Sequence, residues 1–311
     1  MNKKTLRINL SFLVVVAIMI GGAEFFHERE IIFPEVAAIA VGLFLAPKIS
    51  WQVSKIRIFI LISICAVIGL LISLLVPLPL WMKMALAFIV GQFILLFSRT
   101  SFAPLISAIV LPVLLGTESI VYPISAVILT GIVLGLSFLL EKFHIKEKEN
   151  YLPLPLPQKR DYIEMLIRTL IAMVCIYFAI HFKFTFAVAP PMLVAFTEFT
   201  KSECKARKTP MKTVSLIFVC ALAGSICRYV FTVHFGLFLA FSAVMATVIL
   251  IFLLKWFKMY LPPAGALTIL PMLIPQKDLL VYPFEVLVGI SIFMGVAILM
   301  NKKEHTKQIK S

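Results

Sequence analysis

Apolar runs separated by short basic loops divide the chain into about twelve segments, the clearest covering 8–26, 31–46, 57–76, 81–98, 119–140, 164–182, 185–200, 213–232, 235–254 and 281–300. Two further runs, 103–116 and 262–275, are short. A helix rises about 1.5 Å per residue, so roughly 20 residues cross a hydrocarbon core about 30 Å thick, whereas these two runs reach only about 21 Å. They also carry Pro104, Pro112, Pro262, Pro263 and Pro271. Each is therefore either a kinked span or a half-helix that turns back.

The positions of the basic residues favour crossing. If both short runs cross, 23 of the 29 Lys and Arg residues fall on the side of both termini, and only Arg29, Lys83, Lys183, Arg228 and Lys277 fall opposite, with Arg168 about one turn inside its span. If the runs re-enter, the basic stretches 141–163 and 201–212 move to the wrong side. The positive-inside rule thus predicts twelve crossings of the cell membrane, with cytoplasmic N- and C-termini. The first run is read as a retained span, because it is long for a signal peptide and no small-residue cleavage site stands before the charged segment Glu24–Glu30.

Composition narrows the class. With 61% apolar and 14% charged residues the chain departs far from a soluble domain, and 13 Gly, 18 Pro and 5 Cys match neither disordered, collagen-like nor disulfide-rich chains. The net charge of +14 sits in loops without interleaved aromatics, which argues for a lipid bilayer as partner and against nucleic acid. The expected fold is all-α: a polytopic helical membrane protein.

Midway lies a polar stretch, 141–163, ending in Tyr151-Leu-Pro-Leu-Pro-Leu-Pro, whose alternating prolines favour an extended spacer. On either side the same signals recur in the same order. Cys65-Ala66-x-x-Gly69 matches Cys220-Ala221-x-x-Gly224, Pro104 and Pro112 match Pro263 and Pro271, and Val121-Tyr-Pro matches Val281-Tyr-Pro. The chain therefore divides into a six-span repeat at 1–140, a cytoplasmic linker at 141–163, a second six-span repeat at 164–300 and a basic tail at 301–311. An even number of spans per half makes the repeats parallel.

The run Leu261-Pro262-Pro263-Ala264-Gly265-Ala266, ahead of a final span containing Val-Tyr-Pro, resembles the HPP family of integral membrane proteins over about 185–300, with Leu261 in place of the signature histidine. The layout is also similar to the fusaric-acid-resistance and aromatic-acid-exporter group. These resemblances imply transport of a small anion, such as nitrite or an organic acid.

Pro-interrupted segments in corresponding places of two repeats point to a transporter's binding site, because the freed backbone groups need a partner. The candidates for substrate binding are Pro104, Ser107, Pro112, Pro263, Gly265, Thr268 and Pro271, with helix packing as the alternative role. Ionisable and polar residues at membrane depth are candidates for coupling or charge pairing: Glu35, Glu285, Arg228 and Gln92, with Glu35 or Glu285 expected to pair with Arg228 or to accept a proton. Tyr122 and Tyr282 read as interfacial anchors. Cys204 stands among Lys201, Lys205 and Arg207, a setting that lowers a thiol pKa. The five histidines have no ligand spacing, and no phosphate loop or nucleophile elbow is present, so neither a metal, a cofactor nor an enzymatic activity is expected. The leading expectation is a small-anion transporter, ion-coupled or facilitated. The alternatives are a non-transporting membrane scaffold and, behind it, a lipid-modifying membrane enzyme.

Overall fold

The computed structural model describes residues 3–148, 151–201 and 204–308, with side chains as far as Asn301. Among these residues the regular structure is helical. Eight helices are long and apolar enough to cross a membrane: α1 (Lys3–Phe25), α3 (Lys55–Leu75), α4 (Leu80–Phe97), α6 (Val121–Lys142), α7 (Lys159–His181), α10 (Pro210–Cys227, continued by a π-helical stretch Arg228–His234), α11 (Leu239–Trp256) and α13 (Tyr282–Gln308). Between them lie four short helices: α2 (Glu35–Ala40, continued by π-helical Val41–Leu45), α5 (Pro104–Leu115), α8 (Pro190–Phe199) and α12 (Pro262–Ile269, ending in a 3₁₀ turn). A single turn, α9 (Lys205–Lys208), precedes α10.

Burial divides the two sets. The long helices turn large apolar side chains outward, such as Leu10, Val14 and Ile18 on α1 and Ile60, Ile64, Val67 and Leu71 on α3. The short helices are buried on every side: all of α12, all but one residue of α8 and ten consecutive residues of α5. α2 packs on α5 and α12, and α8 packs on the same two helices, so the four form a closed inner ring. A continuous apolar exterior around a buried core is the arrangement of a helical membrane protein, since in water an apolar face of that extent would aggregate.

Sequence sets the helix ends. Pro104, Pro190, Pro210 and Pro262 stand at first helical positions, where the missing N–H costs no bond. The Ser54 hydroxyl accepts from the Arg57 N–H at the start of α3, and Asp161 caps α7. α5 ends at Gly116 in the left-handed region. Five long helices end instead with a non-glycine residue there: His27, Arg99, His144, Lys183 and Lys258.

Polar contacts sort the loops into two ends. At the basic end Lys55 pairs with Glu141 at 2.7 Å, Gln52 and Ser101 exchange bonds, Lys201 donates to the Ser101 carbonyl, and Lys146 donates to the carbonyls of Leu43, Phe44 and Ala46 that close α2. The Pro-rich linker lies across this end, with Arg57 on the Tyr151 hydroxyl and Arg99 on the Leu154 carbonyl. At the opposite end Glu24 accepts from the N–H groups of Leu239 and Ala240, and Lys83 donates to the Ser73 carbonyl.

Four boundaries differ from the sequence reading. The runs 31–46 and 185–200 contain short buried helices rather than long ones, because Pro34 and the Pro190-Pro191 pair delay the helix start. α7 begins at Lys159, taking the last residues of the expected linker into the helix. Of the expected basic tail, residues through Gln308 continue α13 and 309–311 lie outside the described residues.

Candidate functional site

A proline inside a helix cannot donate to the carbonyl four residues earlier and leaves it without its usual partner. For Pro112 that carbonyl belongs to Ala108, and for Pro271 to Leu267. The structure supplies both from within. The Tyr122 hydroxyl donates to the Ala108 carbonyl at 2.9 Å, and the Tyr282 hydroxyl donates to the Leu267 carbonyl at 2.7 Å. The two tyrosines are fully buried rather than interfacial.

The proline rings are held from the other side. A Cβ at Gly69 would lie 2.7 Å from the Pro112 ring and 2.5 Å from the Ile109 carbonyl oxygen, and one at Gly224 would lie 3.0 Å from the Pro271 ring. The three recurring sequence signals thus converge on one clasp in each half: Gly69, Pro112 and Tyr122, and Gly224, Pro271 and Tyr282. In both halves the gap expected to receive a solute is occupied by a tyrosine hydroxyl.

The remaining candidates fall in several places. Pro104 and Pro263 start helices. Gly265 is buried against α2, where a Cβ would lie 2.8 Å from the Ala37 carbonyl oxygen, and the Thr268 hydroxyl bonds back to the Ala264 carbonyl. The charge pairs expected with Arg228 do not form. Its Nη1 donates to the carbonyls of Pro271 and Ile274, Glu285 accepts from the Phe186 N–H at 2.7 Å, and Glu35 accepts from the Ser107 hydroxyl. Hydropathy places these residues at similar depths but leaves their facing direction open.

Depth can be read from helix contacts. Gly91, six residues or about 9 Å from the basic end of α4, faces Ile106, and Gly69, about 9 Å from the far end of α3, faces Ile109. Ser107 and the Glu35 carboxyl therefore lie near the middle of the bundle.

Gln92 anchors a second polar cluster, toward the basic end of α8. Its Nε2 donates to Thr197 Oγ1 at 2.8 Å, and its Oε1 accepts from Arg168 Nε at 2.9 Å. Arg168 Nη1 donates to Thr200 Oγ1 at 3.0 Å. The nearest carboxylate along α7, Glu164, is held by Arg160. Below this cluster Trp51 Nε1 donates to Glu198 at 2.8 Å and packs edge-on against Phe102. Burial lowers the pKa of the Lys201 ammonium there, with Glu198 acting against the shift. Arg168, Thr197, Thr200 and Trp51 were not among the candidates. Arg168 could have been found as a charge in a long apolar run, but its contact with Gln92, 76 residues away, has no local signal.

The Cys204 thiol, expected to be shifted down by its basic neighbours, is pushed up by burial, which outweighs bonds from the Ala206 and Arg207 backbone and the Arg207 charge. Two clefts open on the outer surface. One of about 370 Å³ lies between α7 and α13, lined by Cys175, Phe178, Phe182, Val288 and Phe293, and one of about 580 Å³ lies between α1 and α11. Neither touches a candidate residue. Compared with protein-family models, curated proteins and solved structures, the chain matches none.

Proposed function

We propose that the chain is an integral membrane transporter of a small anion, inorganic such as nitrite or an organic acid, in the cell membrane with both termini cytoplasmic. The observation that carries this reading is a pair of arginines set in the bundle with neutral oxygens as their hydrogen-bond partners. Arg228 rests on two backbone carbonyls and Arg168 on Gln92 and Thr200, and among the described residues neither forms an ion pair. A cation at such depth, hydrogen-bonded to neutral oxygens, keeps a charge that an anion can neutralise; for Arg168 the Glu164 carboxylate one turn away, itself paired with Arg160, supplies part of that compensation. Arg29 stands close enough to Arg228 to repel it, which adds to the positive field at that end.

The architecture proposed for this task is two parallel six-span repeats with twelve crossings. In its support, α1 to α6 correspond in order to α7, α8, α10, α11, α12 and α13, and the packing partners follow. α3 lies on α5 and α6 as α10 lies on α12 and α13, and α4 lies on α7 as α11 lies on α1. Each short helix also joins a loop at the basic end to one at the opposite end, which favours crossing over re-entry. The resemblance of Leu261–Ala266 to the HPP signature belongs to the same proposal.

In the conformation described, the inner ring is closed, so solute passage requires the short helices to part. The same close packing at Gly265 favours the second reading, a membrane scaffold that transports nothing. A proteoliposome flux screen with nitrite, formate, aromatic acids and amino acids separates the two. Flux of at least one anion class is expected, and none in any class would leave the scaffold.

A further inference from the structure

In the middle of the bundle the first half holds a carboxyl that its packing does not need. Glu35 is buried; its Oε1 accepts from the Ser107 hydroxyl, and its Oε2 is buried with no partner. The second half builds the same clasp without it. Ala266 precedes Leu267 where Ser107 precedes Ala108, and Pro190 opens α8 where Glu35 opens α2. An acid present in only one of two equivalent frameworks is not required by the framework.

Among the described residues no cation balances it. The titratable side chains that face Glu35 from packed elements are Tyr122 on α6, whose hydroxyl is already committed to Ala108, and Cys65 on α3, in contact range of that tyrosine. α5 and α12 contain no ionisable residue, and α1 carries its charges only near its two ends, at Lys3, Lys4, Arg7 and Glu24. A carboxylate with one side-chain hydrogen bond, its own backbone N–H beside it and no counter-charge is costlier in that setting than the neutral acid.

Building on the transport reading, we propose that Glu35 is a proton-exchange site whose protonation gates the closing of the inner ring. While the inner ring is closed the carboxyl is held as the neutral acid, Ser107 donating to Oε1 and the proton residing on Oε2. When α2 and α5 part on one side, water solvates the group and the proton leaves to that side as a carboxylate forms. Closing again requires a proton to be taken up. The ring cannot pass through its closed state without one, loaded or empty, so the proton taken up on closing is released at the next opening, and alternation slows as the supply of protons falls.

The test uses the full chain in lipid and has two readouts. Infrared difference spectra between acidic and alkaline pH are expected to show the C=O stretch of a buried carboxylic acid, lost in Glu35→Gln and moved in frequency in Glu35→Asp, which also serves if the Gln variant fails to fold. A spectrum with no Glu35-dependent band overturns the inference whatever the flux. In proteoliposomes at equal pH on both sides, anion flux is expected to fall several-fold from acidic to alkaline pH in the wild type and to lose that dependence in Glu35→Gln. A pH dependence that persists unchanged in Glu35→Gln overturns the gating and leaves the transport reading standing. A wild type that passes no anion overturns transport and gating together, and the infrared band still decides whether Glu35 titrates.

Discussion

Removing the Tyr122 hydroxyl tests the clasp that replaces the expected solute gap. In Tyr122→Phe the ring still packs against Phe33, but the Ala108 carbonyl, already deprived of its helical partner by Pro112, loses its remaining donor. An orphaned buried acceptor costs about 1–3 kcal/mol, and membrane interiors fall in the lower part of that range, so about 1–2 kcal/mol is expected. The decisive comparison is Pro112→Ala. That change restores an N–H which can donate to Ala108 in a regular helix. It also removes the packing of the proline ring on Gly69, but that packing is missing from both proteins in the Pro112→Ala background and so cancels. There, Tyr122→Phe is expected to cost less than about 0.5 kcal/mol, giving a coupling energy of roughly 1 kcal/mol, beyond the scatter of independent sites. The assay is denaturant unfolding of the four proteins in mixed micelles, followed by circular dichroism. Additive losses would refute the claim that the hydroxyl stands in for the missing amide.

Other expectations follow from the same geometry. Gly69→Ala and Gly224→Ala drive a methyl into backbone and a proline ring and are expected to destabilise by about 1–3 kcal/mol, whereas Gly135→Ala, with nothing within 4 Å, is expected to stabilise by up to about 1 kcal/mol; thermal unfolding compares them. His144→Gly and Lys258→Gly relieve left-handed backbone at exposed helix ends and are expected to add about 0.5–1 kcal/mol each by the same measurement. Because burial raises the Cys204 pKa, little thiolate is present at neutral pH. Maleimide labelling of a variant retaining only that cysteine is expected to be slow there and to accelerate as pH rises; fast, pH-independent labelling would contradict it.

Much of the architecture was legible because membrane insertion demands long apolar runs and basic loops, both readable without partners. The clasps were half legible. Gly69, Pro112 and Tyr122 recur as Gly224, Pro271 and Tyr282, so the recurrence was visible, but not the inward turn of the tyrosines that completes each clasp. The same arithmetic that frees the Ala108 carbonyl also suits a tyrosine ten residues beyond Pro112, and only the fold shows that Tyr122 turns inward. Short buried helices were harder to see. α2 and α8 sit in runs of 16 residues, longer than the two Pro-interrupted runs, and a hydropathy run does not record where proline delays the helix. The expected pairing of Glu35 or Glu285 with Arg228 failed because depth along a run gives no direction around the helix axis. The contact of Arg168 with Gln92 and Thr200 joins three separate helical regions and has no signature at any one of them.

The central claim is that an anion meets the Arg168 charge held by Gln92 and Thr200. Its most direct test is the uptake rate of the best-transported anion by wild type, Arg168→Lys and Arg168→Gln, each shown to be monodisperse and reconstituted in equal amount. The account expects uptake to fall at least tenfold in Arg168→Gln, with Arg168→Lys retaining part of it. Equal uptake by Arg168→Gln and wild type would contradict the account.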